Sequence, residues 1–518
     1  MTEFDDGETT TPSVADADPP GDPAVEPGGE VDAAAGEFAR KAAGGFVWAL
    51  VGFLLIQIGS FGTYSIATRI LGAAGIGVVG TALTLVFWID VLLDLGMGAS
   101  LIYEQEEGQS ERVHVAFTVN AAVAVVISVG VFLGASPIND FFGAGNVAMF
   151  RVVALLILTK GLNQIPDALL KRDLDFKRRA RADFTRSIGR FVISVGLLLG
   201  GVGPIAMVIG VTIAEICAVV ITWSLVRFRP RLNFDRVIAI DMLRFGAAMF
   251  GARLVGMLWL NGDYLVLANR LGGRSRAFGN YFTAFRLPEL ILGSVYNLFA
   301  NVAFPAYSAA RELGPEKLRQ ASLKSLRMLC LFGFPTGVGM SLIARDFILW
   351  WFEPQFSGAI PVMELLCLAG AFVAVGYASG DLYAAMGRPR LGLYFNLVGA
   401  PVLIGGFLLV VGKGIVAVAI VHLVVIVPYS AFRIGIANRL LGTTWAQSLR
   451  ALRPATVATL GILVVALPVR LATAPGFLSL LAILGAGVVG AGVGLAIGDR
   501  PTFDEVTAMG AKALARFA

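Results

Sequence analysis

Charge is what this chain has least of. Charged residues make up 15% of the 518 residues and apolar ones 57%, where an average soluble domain has about 25% charged and about 45–50% apolar with glycine counted in. That balance excludes a soluble globule for most of the chain. Histidine occurs twice, at His114 and His422, and cysteine three times, at Cys217, Cys330 and Cys367, each cysteine inside an apolar run. A disulfide framework or a zinc site needs these residues in greater number and closer spacing. The cysteines therefore read as small hydrophobes, and no metal or cofactor is implied.

Lys and Arg are missing altogether from the first 36 residues, which carry ten acids between Glu3 and Asp32 amid Pro, Gly, Thr and Ala. Such a segment buries too little apolar surface to offset its ordering entropy, so residues 1–41 are expected to be a disordered acidic tail. Its acidic start is the reverse of the positive leading region of an export signal. The net charge of +5 thus understates how basic the remainder is.

What is present instead is a succession of apolar runs, each about 20 residues long and so able to cross a bilayer. With no water to bond the backbone in hydrocarbon, each run must be helical. The expected fold is an all-α polytopic integral membrane protein of about 14 transmembrane helices. The first span is placed at Phe46 to Ala67, the fifth at Phe184 to Leu199, the seventh at Met242 to Leu260, the eighth at Phe282 to Phe304 and the last at Phe477 to Ile497. Helices 1–6 form an N-lobe over residues 42–228 and helices 7–12 a C-lobe over 229–440. Two further helices occupy 441–500, and a C-terminal tail 501–518.

Cations fix the expected orientation, because Lys and Arg are retained on the cytoplasmic side of short loops. Lys171 to Arg181, Arg227 to Arg236, Arg311 to Lys324, Arg388 and Arg390, and Arg433 and Arg439 all follow even-numbered spans. Both termini are therefore expected in the cytoplasm. One loop dissents, with Arg270, Arg274 and Arg276 on the outer side, in the longest external stretch, Asp263 to Gly279. An internal repeat relates the halves: GTYSIATRILG from Gly62 to Gly72 and GDYLVLANRLG from Gly262 to Gly272 share Gly, Tyr, Leu and Gly at four matched positions. Copies six spans apart keep one orientation, which describes two six-helix lobes related by a pseudo-twofold along the membrane normal.

No catalytic constellation is evident. Asp173 and Asp175 form a DxD beside a Lys/Arg run, which reads as an interfacial amphipathic helix facing lipid headgroups rather than as a metal-dependent transferase site. Intramembrane charges are more informative, since each costs at least about 2.5–3.5 kcal/mol at a helix centre unless it faces a wet cavity or a partner. These are Asp90 and Asp94 on one face of span two, Lys160 in span four, Glu215 in span six, Arg253 in span seven, and Arg286 with Glu289 in span eight. Arg286 and Glu289 share a helix face and are open to an internal ion pair as well as a substrate role. Glu215 is open to pairing with Lys160. Arg253 has no acid within a turn and is the sharpest candidate for an anionic substrate.

Three stretches resemble the polysaccharide-exporter branch of the multidrug/oligosaccharidyl-lipid/polysaccharide transporter superfamily. They are QIPDALLKRDLDFKRRARADF from Gln164 to Phe184, GNYFTAFRLPELILGSVYNLFANVAFPAYS from Gly279 to Ser308, and LYAAMGRPRLGLYFN from Leu382 to Asn396. The resemblance, which begins near Phe46, implies a flippase and not an enzyme. Such a protein moves a lipid-linked oligosaccharide from the cytoplasmic to the outer leaflet of the plasma (inner) membrane by alternating access. Its implied partners are that substrate, membrane lipids and polysaccharide assembly proteins, with no nucleic acid. Three alternatives stay open: a lipid II flippase, a cation-coupled multidrug antiporter centred on Asp90 or Glu215, and a membrane polysaccharide polymerase or ligase.

The topology is tested by single cysteines in an otherwise cysteine-free chain. Arg178→Cys is expected to react with an impermeant thiol reagent only from the cytoplasm and Asn139→Cys only from outside, and the opposite pattern would invert every loop.

Overall fold

A computed structural model of the chain describes residues 27–93, 109–172, 176–226 and 228–517. Among the described residues there are helices and no strands. The N-lobe comprises α1 (Pro27–Leu93), α2 (Gln109–Leu133), the short α3 (Ala135–Phe142), α4 (Val147–Arg172), α5 (Phe176–Leu199) and α6 (Ile205–Leu225). The C-lobe comprises α7 (Arg236–Leu271), α8 (Arg276–Pro288), a π turn (Glu289–Gly293), α9 (Ser294–Glu312), α10 (Pro315–Trp351), α11 (Ile360–Ala385), α12 (Arg390–Val410) and α13 (Ile415–Leu441). Beyond them α14 (Trp445–Ala472) packs on α10 and pairs with α15 (Phe477–Gly498), and α16 (Arg500–Phe517) ends the chain.

The all-α polytopic fold expected from the apolar runs is what the chain adopts. Eleven helices among the described residues are long and apolar enough to cross a membrane. The count differs from fourteen for local reasons. The first two expected spans lie in α1 up to Leu93, on either side of non-helical Gly72 (φ 62°, ψ −179°), and they count once among the eleven, as Gly59–Leu93. The helices that carry the fifth and seventh expected spans, α5 and α7, are rich in charge and fall outside the eleven. A helix begins at Pro27, within the stretch expected as a tail, and residues 1–26 lie outside the described ones. The C-terminal segment read as a tail is α16, tied to α10 where Arg327 donates to Thr502 Oγ1 (2.5 Å) and pairs with Glu505 (2.9 Å).

The helices begin where their sequences cap them. Asp235 accepts from the backbone N–H of Val237 and Ile238 at 2.7 and 3.0 Å to start α7, and Thr444 with Gln447 forms a capping box at α14. Pro288 removes a backbone donor inside the eighth expected span, and the following turn widens into the π turn. The sequence repeat has a structural counterpart. Gly72 and Gly272 both adopt positive φ, 62° and 82°, where a side chain would be strained. Tyr64 and Tyr264 both lie against the Phe282 ring, with centroids 6.3 and 5.1 Å away.

The two lobes are joined tightly at the end expected to face outward. Phe142 O and Gly143 O accept from the N–H groups of Gly273 (2.5 Å) and Arg274 (3.2 Å), and Asn269 donates to Phe141 O (2.9 Å). Trp351 donates to Ser65 (2.8 Å), and Tyr64 bonds Thr283 (2.8 Å). Glycine makes this seam possible: a Cβ on Gly279 would collide with Ala73 O, and one on Gly77 would fall 2.5 Å from Gly273 O. The expected long external stretch is largely absent, because α7 continues through Asp263 to Leu271 and only Gly272 to Ser275 form the loop. The seventh apolar run ends where α7 is interrupted, at non-helical Asn261 (φ −135°, ψ 15°), and a second helical stretch follows directly.

The seam gives a packing test. Alanine ordinarily stabilises a helix over glycine by roughly 0.5–1 kcal/mol, and Gly130, with open space around its Cα, is expected to follow that rule. Gly279→Ala is expected instead to lower the thermal unfolding midpoint in detergent, since overpacking costs about 1–3 kcal/mol. Equal midpoints for the two variants would show that the lobes part freely.

Candidate functional site

The charged side chains of the N-lobe form a ladder along α5. Arg179, Asp183, Arg186 and Arg190 recur at intervals of four, three and four residues, which sets them on one helix face. Lys171 pairs with Asp167 (2.7 Å), Arg179 lies 3.6 Å from Asp167 and 3.9 Å from Asp183, and Arg186 bonds Asp183 at 2.6 Å. Arg186 also grips Glu215 of α6 with two hydrogen bonds, from Nε at 2.8 Å and Nη2 at 3.2 Å. That planar fork matches a carboxylate geometrically, and the Glu215 side chain is only 6% exposed. Beside this ladder, Lys160 of α4 pairs with Asp90 of α1 at 2.6 Å.

Arg190 stands at the upper end of the ladder. Its Nε is buried and has no hydrogen-bond partner among the described residues. Arg286 pairs with Glu289 at 3.0 Å, one residue on each side of the Leu287–Pro288 step that opens into the π turn. Gln57 of α1 donates to Ser294 at 3.1 Å, a further polar link between the lobes. Glu289 also lines a C-lobe cavity of about 290 Å³, together with Asn261, Asn297, Tyr377 and His422.

Of the residues expected to contact substrate, the structure pairs Asp90 with Lys160 and Arg286 with Glu289, and it corrects one pairing. Glu215 does not meet Lys160: α5 supplies Arg186 to Glu215, and Lys160 is taken by Asp90. The intrahelical Arg286–Glu289 pair is present. Arg253 is exposed on α7 and is itself engaged in an interaction, so the lack of an acid within its own turn does not leave it isolated. Asp94, Asp173 and Asp175 lie outside the described residues. The basic run read as an interfacial helix leads straight into α5, where Arg179 belongs to the ladder. Arg186 and Arg190 were missed although both fall within the fifth expected span. The 4-3-4 spacing of charge was the available signal. Asp263 and His422 were missed as well, for the first was assigned to a loop.

Residues 66–361, more than half of the chain, match the family described as polysaccharide biosynthesis protein. The chain is 24% identical over 363 residues to the lipopolysaccharide biosynthesis protein WzxC of Escherichia coli, covering 69% of this chain and 73% of that one. It is 23% identical over 358 residues to the teichuronic acid biosynthesis protein TuaB of Bacillus subtilis, covering 68% and 71%. Its fold is similar to that of the lipid II flippase MurJ in an inward closed conformation, with a TM-score of 0.68 and 13% identity over 88% of this chain and 99% of that one. Its helical lobes, its three matched stretches and these relatives agree: the chain belongs to the polysaccharide biosynthesis protein family, in the polysaccharide-exporter branch of the multidrug/oligosaccharidyl-lipid/polysaccharide transporter superfamily.

Proposed function

We propose that this protein is a flippase that carries a polyprenyl-diphosphate-linked oligosaccharide from the cytoplasmic to the outer leaflet of the plasma membrane. The observation that carries the reading is Arg190, a cation on the charged face of α5 whose buried Nε has no protein acceptor among the described residues. An anion with several oxygens supplies the missing acceptor and matches the guanidinium geometrically. A diphosphate has that chemistry, and its lipid tail stays in the bilayer while the sugar occupies the space between lobes. The seam at the expected outer end suits the state that loads from the cytoplasm. Arg253 on α7 serves on this reading as a further cation along the route.

A drug/cation antiporter would need a carboxylate left open between the lobes. Asp90 and Glu215, the positions expected for that role, are committed to Lys160 and Arg186, which favours the anionic substrate.

Transbilayer movement of a labelled polyprenyl-diphosphate oligosaccharide in proteoliposomes tests the proposal. A hydrogen bond to a charged group contributes about 1.5–3 kcal/mol, so Arg190→Met and Arg286→Met are each expected to lower flux per folded molecule at least about tenfold, with Arg190→Lys retaining part. Arg186→Met is expected to act differently, lowering the amount of folded protein by leaving Glu215 buried without its cation. Unchanged specific flux in both Met variants of the first pair would refute the assignment.

A further inference from the structure

The stretch from Leu382 to Asn396 takes no part in the ladder on α5, and it leads to a different feature. Between α12 and α13 the C-lobe carries a groove of about 530 Å³, walled by Phe395, Gly399 and Val402 of the first helix and Val424, Tyr429 and Phe432 of the second, with no charged residue in its lining. At its rim Val398, Val424 and Phe432 are 69, 63 and 61% exposed. On spanning helices so bare an apolar surface faces lipid, since charged and polar groups there turn inward.

The sequence leaves this room between two neighbouring helices. Gly399 has no side chain, and a Cβ on it would fall 2.8 Å from the rings of both Trp259 and Tyr429. Pro428 lines the groove from inside α13, where it leaves the Val424 carbonyl without its helical donor. The floor is a fixed aromatic layer. Tyr429 stacks on Trp259 of α7 with centroids 4.1 Å apart and donates to Asn396 at 2.9 Å. Arg433 lies over the Tyr429 and Phe395 rings, 5.7 and 5.8 Å from their centroids, and its Nε donates to Ser379 at 3.1 Å. Trp259 itself lines the C-lobe cavity, so these rings separate groove from cavity.

Charge gathers at one end only. Arg388 and Arg390 lead into Leu391, the first lining residue, and Arg439 follows the lining residue Ile436 by one turn of α13. All three arginines are exposed, and none is in an ion pair among the described residues. From this mouth, at the end expected to face the cytoplasm, the groove follows α12 from Leu391 to Val402, about 16 Å at about 1.5 Å per residue. That is about half of a hydrocarbon core about 30 Å thick. The groove is therefore one leaflet deep.

We propose that it binds an anionic glycerophospholipid of the cytoplasmic leaflet, with an acyl chain between α12 and α13 and the phosphate among Arg388, Arg390 and Arg439. The guanidinium forks match phosphate oxygens, and the apolar walls match the chain. A lipid that is carried across must leave its leaflet, whereas a groove that stops at mid-bilayer with cations at one end retains its occupant in one. The bound lipid is thus a resident part of the C-lobe wall, lying against the Tyr429 ring that backs the cavity.

The test measures no flux, so its failure leaves the substrate reading standing. The full chain, delipidated in detergent, is given an equimolar mixture of phosphatidylglycerol and phosphatidylcholine and weighed by native mass spectrometry. One phosphatidylglycerol is expected to be retained over phosphatidylcholine by at least about fivefold, the effect of one arginine beside an anionic lipid surface. Replacing all three arginines, Arg388→Gln, Arg390→Gln and Arg439→Gln, is expected to remove that preference. Val398→Trp with Val424→Trp, which fills the groove from two exposed positions, is expected to remove the retained lipid while the arginines stay. Undiminished preference in the triple Gln variant, or undiminished retention in the double Trp variant, would overturn the site. So would displacement of phosphatidylglycerol by an equimolar polyprenyl phosphate, which would assign the groove to the carried lipid.

Discussion

The bidentate Arg186–Glu215 pair is the contact on which the N-lobe's arrangement turns. It lets α5, a helix with four charged groups on one face, lie inside a membrane protein at all. Without Glu215, Arg186 would keep Asp183 alone as its counter-charge, and breaking a buried pair by removing one partner costs about 3–5 kcal/mol. With it, acid and base alternate from Asp167 to Glu215, and Arg190, one turn beyond Arg186, is a cation whose buried Nε finds no partner among the described residues.

The lobes themselves meet through surfaces that hold closely and contain little. At the seam, backbone touches backbone because Gly77, Gly273 and Gly279 have no side chains to keep it apart. Above and below it, α1 and α7 each carry a break, at Gly72 and Asn261. The two helices occupy corresponding places in the sequence repeat, and both place a buried tyrosine against Phe282. A contact made of close-packed backbone is lost abruptly when it opens, as packed interfaces switch between discrete arrangements more readily than they stretch. Two hinged helices either side of such a seam are the parts an alternating carrier needs.

Most of the fold was legible in the sequence because lipid is an exacting solvent. Twenty apolar residues can only be a helix there, and the repeat from Gly62 and Gly262 marked two segments that end at equivalent positive-φ glycines, Gly72 and Gly272. The site was legible residue by residue but not pair by pair. Asp90, Lys160 and Glu215 were each recognisable as charges out of place, yet which meets which depends on the rotation of α4, α5 and α6 about their axes, and hydropathy carries no information on rotation. Glu215 was open to Lys160 only while Arg186 was overlooked. Asp263 was lost for a different reason: Asn261 and Gly262 look like the start of a loop, and the helix runs on through them. Its partner His422 lies 159 residues away, a separation over which no local pattern operates.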